Sequence, residues 1–174
     1  FVVALAVTIG QLITSALAAF ALATLDFPGK TFFFFLFLAT LLIPWEATIV
    51  PNYLTIVNLN WKDSYQGLIV PFLASAFGIF LLRQTFKTVP KELDEAARVE
   101  GCSPLQVLWK VYVPLARPVY VAYALVSVSF HWNNFLWPLI ITNSVESRPL
   151  TVGLQVFSAT DQGIDWSIIT AATL

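Results

Sequence analysis

The stretch FVVALAVTIGQLITSALAAFALATL, residues 1–25, decides the fold. It holds no charged side chain, and about 20 apolar residues at 1.5 Å each suffice to cross a hydrocarbon core of roughly 30 Å. It reads as a complete membrane span, and the chain beyond it repeats the pattern. Asp26-Phe27-Pro28-Gly29-Lys30 joins a helix breaker and a turn residue to two charges, which predicts a hairpin. A second span is expected over 31–50, with Pro44 breaking its far end and Glu46 just beyond. The pattern then predicts a polar loop over 51–66, a third span over 67–82 ended by Arg83, a charged segment over 83–117 and a fourth span over 118–142. A polar loop to Asp165 and a fifth span from Trp166 complete it. The expected fold class is all-α, a polytopic transmembrane helical bundle of at least five spans. Phe1 lies inside an apolar stretch and Leu174 inside another, so 1–174 reads as one transmembrane domain cut at both ends.

Composition agrees. Of 174 residues, 58% are hydrophobic and 11% charged, against about 25% charged in soluble domains. The net charge of −1 carries no footprint for nucleic acid. Cys102 is the single cysteine; it excludes an internal disulfide or a cysteine-based metal cluster and reads as a bystander thiol.

Cationic residues set the orientation, because short cytoplasmic loops retain Lys and Arg. Alternating spans assign Lys30, Arg83, Lys87, Lys91, Arg98, Lys110 and Arg117 to one side, and only Lys62 and Arg148 to the other. Segment 83–117 is therefore expected on the cytoplasmic face. Trp45, Trp61 and Trp166 fall at the outer boundaries, where indole rings favour the interface.

Residues 88–114, TVPKELDEAARVEGCSPLQVLWKVYVP, predict two short helices about a turn. Pro90 suits a first helical turn, Glu92, Asp94 and Glu95 suit the positive end of the helix dipole, and Gly101 suits a left-handed C-terminal cap. Ser103-Pro104-Leu105-Gln106 has the form of a capping box. Leu105, Leu108, Trp109 and Tyr112 recur at helical spacing beyond it.

Glu95-Ala96-Ala97, three residues, Gly101, nine residues, then Val111-Tyr112-Val113-Pro114 resembles the EAA loop of permeases from bacterial ATP-binding-cassette importers. Valines stand here where that family prefers Ile and Leu. Phe80 to Arg83, Pro90-Lys91-Glu92-Leu93 and Trp132-Asn133-Asn134-Phe135-Leu136-Trp137-Pro138 bring the resemblance closest to carbohydrate permeases, the second subunit of maltose-like and glycerol-3-phosphate-like systems. The resemblance implies a multi-pass protein of a bacterial or archaeal inner membrane, surrounded by lipid. It implies as partners a related permease in a heterodimer, two cytoplasmic ATPase subunits and an extracytoplasmic solute-binding protein. Glu95, Ala96, Ala97, Arg98, Gly101 and Pro114 would belong to a coupling loop, 83–117, docked in a cleft of the ATPase. Small alanines permit close approach, the glutamate offers a carboxylate to a cation and the glycine permits a sharp turn. No Walker-type glycine loop occurs, so ATP and magnesium would be bound by the partner ATPases and the chain is expected to be no enzyme and to carry no cofactor.

Polar residues in the spans are costly and tend to face the bundle or a wet cavity. Gln11, His131, Asn133 and Asn134, with Trp132 beside them, are the candidates for lining a sugar path; interhelical hydrogen bonding is the competing account. His131 should lie roughly 20 Å into the fourth span, with no second ligand or acid–base partner at helical spacing, which leaves no metal or catalytic site. Glu46 reads as a solvated interfacial carboxylate. A proton- or sodium-coupled carrier would need a midplane ionisable group or a broken helix pair, and the spans read as neither. Transport of amino acids, peptides or ions by a permease of the same superfamily shares the EAA loop and stays open.

Overall fold

The computed structural model describes residues 1–144 and Val152. Arg148, the loop to Asp165, Trp166 and the expected fifth span lie outside the described residues. Among the described residues, every regular element is helical. Helix α1 (Val2–Thr24) is, among the described residues, the one element long and apolar enough to cross a membrane alone, and three bent helix pairs could each supply a further crossing.

Helix α1 inverts the pattern of a soluble amphipathic helix. Leu5, Ile9, Ile13 and Leu17, four residues apart, form its exposed face. Ala4, Thr8, Gln11, Ser15, Ala16 and Ala19 are buried. In lipid, small residues let helices approach and polar ones find partners across the contact. Helices α5 (Ala76–Phe86) and α9 (Arg117–Trp132) pack on that inner face. Arg83 at the end of α5 reaches the carbonyl of Leu22 near the end of α1, at 3.2 Å, so these two run the same way. Thr8 meets Ser127, and Phe1 meets Trp132, so α9 runs against α1.

The other spans differ from the sequence expectation in where they break. Span 31–50 is two helices, α2 (Lys30–Thr40) and α3 (Trp45–Asn58), at 98°. Pro44 stands extended at the start of α3, and the residue before a proline is pushed out of the helical region. Residues 51–58 continue α3 instead of forming a loop; Asn52, Thr55 and Asn58 are polar at helical, not loop, spacing. Span 67–82 is α4 (Tyr65–Ile69) with a tight turn Val70–Phe72, then α5 at 43°. Ser75 caps α5 by accepting from the Gly78 amide at 3.1 Å. That helix runs past Arg83 to Phe86, so the arginine lies in its last turns and does not end it. Span 118–142 stops at Trp132 and resumes as α10 (Leu136–Ile141). The break at Pro44 accords with the sequence expectation for the far end of its span; the expectation of unbroken helices over 67–82 and 118–142 is overturned.

The broken pieces gather at one end of the bundle. Ile56, Leu68, Trp137 and Ile141 form a buried cluster there, with Trp45 and Trp61 packed on it. Trp45 lies 5.5 Å from Trp137 between ring centroids, so both expected interfacial indoles also serve protein packing. Asp63, in a left-handed conformation, accepts from the amides of Asn143 and Ser144 and from the Ser144 hydroxyl, tying its loop to the end of α10.

Gly67 sits at the tightest point of this cluster. Its carbonyl accepts from the Trp137 indole at 3.0 Å, and a Cβ would run into the Trp61 backbone oxygen. Because backbone must yield, Gly67→Ala is expected to destabilise the protein by about 1–3 kcal/mol. That would appear as a lower thermal midpoint of the purified protein in detergent. An unchanged midpoint would contradict this packing.

Candidate functional site

Segment 83–117 folds as the local signals require. Helix α6 (Lys91–Val99) has Glu92 and Asp94 in its first turn and Arg98 in its last, the favourable arrangement for the helix dipole. Arg98 pairs with Asp94 at 3.0 Å, an exposed pair worth about 0.3–0.5 kcal/mol. Gly101, at φ +85°, closes the helix: its amide reaches the Arg98 carbonyl and the Cys102 amide the Ala97 carbonyl, both at 3.0 Å, the two bonds of a Schellman cap. Nothing lies within 4 Å of a Cβ built on Gly101, so backbone conformation alone calls for glycine there.

The capping box forms as well. Ser103 accepts from the Gln106 amide, and Gln106 accepts from the Ser103 amide at 2.8 Å. Helix α7 (Pro104–Val107) follows, then a wide π turn (Leu108–Tyr112) and α8 (Val113–Leu115). Pro114 has no amide hydrogen, so the ordinary i to i−4 bond cannot close there, and a wide turn accommodates the gap. Pro104–Leu115 stands at 82° to α9.

This segment is bolted to the span ends. Val107, Leu108 and Tyr112 are buried against Ala16, Phe20, Leu82 and Phe86, with Ala97, Val111 and Val113 partly buried beside them. The Tyr112 ring meets Phe20 at 5.2 Å and Phe86 at 5.3 Å, edge to face. Burial holds the Tyr112 phenol above its ordinary pKa, with Asp94 adding to the shift and Arg98 opposing it. Glu95 and Ala96 are exposed and Pro114 half-buried. Glu95 borders a cleft of about 320 Å³ with Asp26, Lys87, Lys91 and Asp94.

Within the bundle, Gln11 holds three elements. Its Nε2 donates to the Phe72 carbonyl at 2.8 Å, which fixes the amide's orientation because a carbonyl can only accept. Its Oε1 accepts from Tyr123 at 3.1 Å and Ser127 at 2.8 Å. The remaining Nε2 hydrogen faces His131 Nε2 at 3.2 Å; that nitrogen therefore accepts, and the imidazole proton sits on Nδ1. Thr14 donates to the Leu73 carbonyl at 2.6 Å. The carbonyls released where α4 breaks into α5 are thus satisfied by α1.

The remaining candidate residues lie towards the break after α9. Asn133 donates to the Ser129 carbonyl at 2.8 Å, capping the helix. Asn133 and Asn134 border an open cavity of about 810 Å³, with Glu46, Ser129 and aromatic walls from Trp45, Phe72 and Phe130. His131 and Trp132 border, with Asn134, a smaller cavity of about 40 Å³. Gln11 lines neither cavity. Among the described residues, no group of three His, Cys, Asp or Glu could hold a metal.

Sequence reasoning passed over Thr8, Tyr123 and Ser127, though a signal existed. Tyr123, Ser127 and His131 recur every fourth residue on α9 and face a matching polar stripe, Thr8, Gln11 and Ser15, on α1. Arg83 places its guanidinium 3.7 Å from the Phe34 ring centroid; no spacing rule links these two.

Comparison with known proteins agrees with this architecture. The family model described as binding-protein-dependent transport system inner membrane component matches residues 1–174. The sn-glycerol-3-phosphate transport system permease protein UgpE of Shigella flexneri is 38% identical over 175 residues, which cover all of this chain and 62% of that protein. Its counterpart in Agrobacterium fabrum is 38% identical over 170 residues, 97% of this chain and 60% of that protein. The chain therefore spans under two thirds of the length of these relatives. A crystal structure of a bacterial ABC transporter that imports the acidic polysaccharide alginate superposes with a TM-score of 0.80 at 30% identity, covering 99% of this chain and 64% of the matched one. The chain is an all-α, polytopic membrane bundle and belongs to the family of inner membrane components of binding-protein-dependent transport systems.

Proposed function

We propose that this chain is the core of a permease subunit in an ATP-driven importer, forming half of the transmembrane path beside a companion permease. Two cytoplasmic ATPase subunits and an extracytoplasmic solute-binding protein complete the assembly. The observation that carries this reading is the build of 83–117. It presents Glu95 and Ala96 outward on a helix end shaped by Gly101, while its other side is seated through Val107, Leu108 and Tyr112 on the ends of α1 and α5. A push on α6 reaches two spans through packed side chains. For that push to do work, the ATP-bound dimer must bind one conformation of the permease better than the other. The chain contributes no chemistry; ATP and magnesium belong to the partners.

The path is assigned to the cavity beside Asn133 and Asn134, with His131 and Trp132 at its neighbour. Its walls combine amides, a hydroxyl, the Glu46 carboxylate and aromatic faces, with no Lys or Arg among the described lining residues. That set exchanges hydrogen bonds with a neutral sugar or polyol and offers a phosphate no counter-charge, so a neutral mono- or oligosaccharide is the proposed cargo. A second reading, glycerol-3-phosphate, is favoured by the names of the relatives and requires a cation from the companion permease or the binding protein.

Two results are expected from the complete transporter in cells. Gly101→Asp should abolish uptake while solute affinity of the binding protein is unchanged, because a side chain at this left-handed position strains the cap and adds charge at the docking end. Uptake at the original rate with normal assembly would refute the coupling role. Excess neutral sugars should compete with a labelled substrate and glycerol phosphates should not; competition by the phosphorylated compounds alone would overturn the assignment of cargo.

A further inference from the structure

The helical segment Pro104–Leu115 presents a second surface that the coupling role does not use. Its inner face is buried, yet Leu105 is 56% and Trp109 48% exposed. The two lie four residues apart, with a single π-turn residue between their helical registers, and so share an edge. Lys110, the residue after Trp109, and Arg117, at the start of α9, are exposed as well.

Geometry places this edge at the membrane surface. Helix α9 runs against α1, the helix that can cross alone. A segment at 82° to α9 therefore lies close to the membrane plane. Its depth follows from what it sits on: Phe20 belongs to the last turns of α1 and Phe86 ends α5, so the segment lies where the spans leave the hydrocarbon. An indole and a leucine flanked by Lys and Arg are the residues that suit this zone, the ring at headgroup level and the cations among lipid phosphates. The ATPase-facing elements Glu95 and Ala96 belong to a different helix, beyond the Gly101 turn.

We propose that the Leu105–Trp109 edge is a lipid-binding face lying in the inner-leaflet headgroup region, where Lys110 and Arg117 pair with anionic phospholipid headgroups. The coupling loop would then rest on the bilayer surface as well as on the bundle. Anionic lipid would fix its height relative to the spans. This inference rests on the inward orientation of 83–117.

The test uses the full-length permease in its complete transporter, with Cys102→Ser as background and nitroxide labels on Leu105→Cys, Trp109→Cys and, as a polar-edge control, Gln106→Cys. Reconstitution into discs of phosphatidylcholine, with and without phosphatidylglycerol, allows collision rates with oxygen and with a water-soluble nickel chelate to be compared. Labels at 105 and 109 should favour oxygen several-fold relative to 106. Phosphatidylglycerol should deepen them, and Lys110→Gln with Arg117→Gln should remove that deepening. Equal access of the nickel chelate to all three sites would overturn the proposal. So would labels at 105 and 109 shielded from both reagents, whether stripping the ATPase subunits opens them or not, since a protein then covers the face. Leu105→Cys is an exposed replacement and carries the result alone if Trp109→Cys fails to assemble. Separate labelling of Gln106→Cys by an impermeant reagent in sealed and opened vesicles reports the orientation, so an error there is distinguishable from an error about lipid.

Discussion

A broken helix inside a membrane releases backbone carbonyls into a solvent that cannot hydrogen-bond them, each at a cost of several kcal/mol unless the protein supplies a donor. Helix α1 supplies the donors. Gln11 reaches the Phe72 carbonyl and Thr14 the Leu73 carbonyl, and the same glutamine accepts from Tyr123 and Ser127 on α9. Individual interhelical hydrogen bonds in membranes average only about 0.6 kcal/mol. Their value here lies in selection: one register of α1 against α5 and α9 satisfies the Phe72 and Leu73 carbonyls and the Gln11 amide together, and a shifted register strands them. At the opposite end Arg83 does similar work, donating to the Leu22 carbonyl while lying over the Phe34 ring.

This division of labour gives the bundle two unlike ends. One end is built from angled pieces, α3 and the short α4 and α10, held by Trp137 and its neighbours, and the larger cavity opens beside it. The other is compact, with Phe20, Phe86 and Tyr112 interlocked and the charged loop seated on them. An importer that is pushed from one side and opened at the other has use for that contrast, since packed side chains transmit displacement and broken helices can re-angle. The breaks are also the feature a carrier of another mechanism would display. Membership in the binding-protein-dependent family separates the two.

Much of this was legible in residue order. The uncharged run 1–25 announced a span, and α1 occupies it. The Gly101 cap and the Ser103 capping box were readable because each depends on side chains within six residues of one another. Span interruption was less legible. Pro44 signalled one break, but the turn at 73–75 depends on donors from Gln11 and Thr14, some sixty residues away, and no local pattern announces it. Hydropathy averages over such breaks because the interrupting residues, Leu73, Ala74 and Phe135 among them, are themselves apolar. The account of Gln11 as a packing residue needed its partners on α9, which become visible only when Tyr123, Ser127 and His131 are read as one stripe.

The central claim is that α6 is the surface on which an ATPase subunit pushes. It is tested most directly by placing a cysteine-linked benzophenone at Ala96 in the assembled transporter and identifying the photoadduct. The account predicts a covalent adduct with the ATPase subunit whose yield changes with bound nucleotide. An adduct with lipid or with the solute-binding protein alone, in a transporter that still imports, would contradict it.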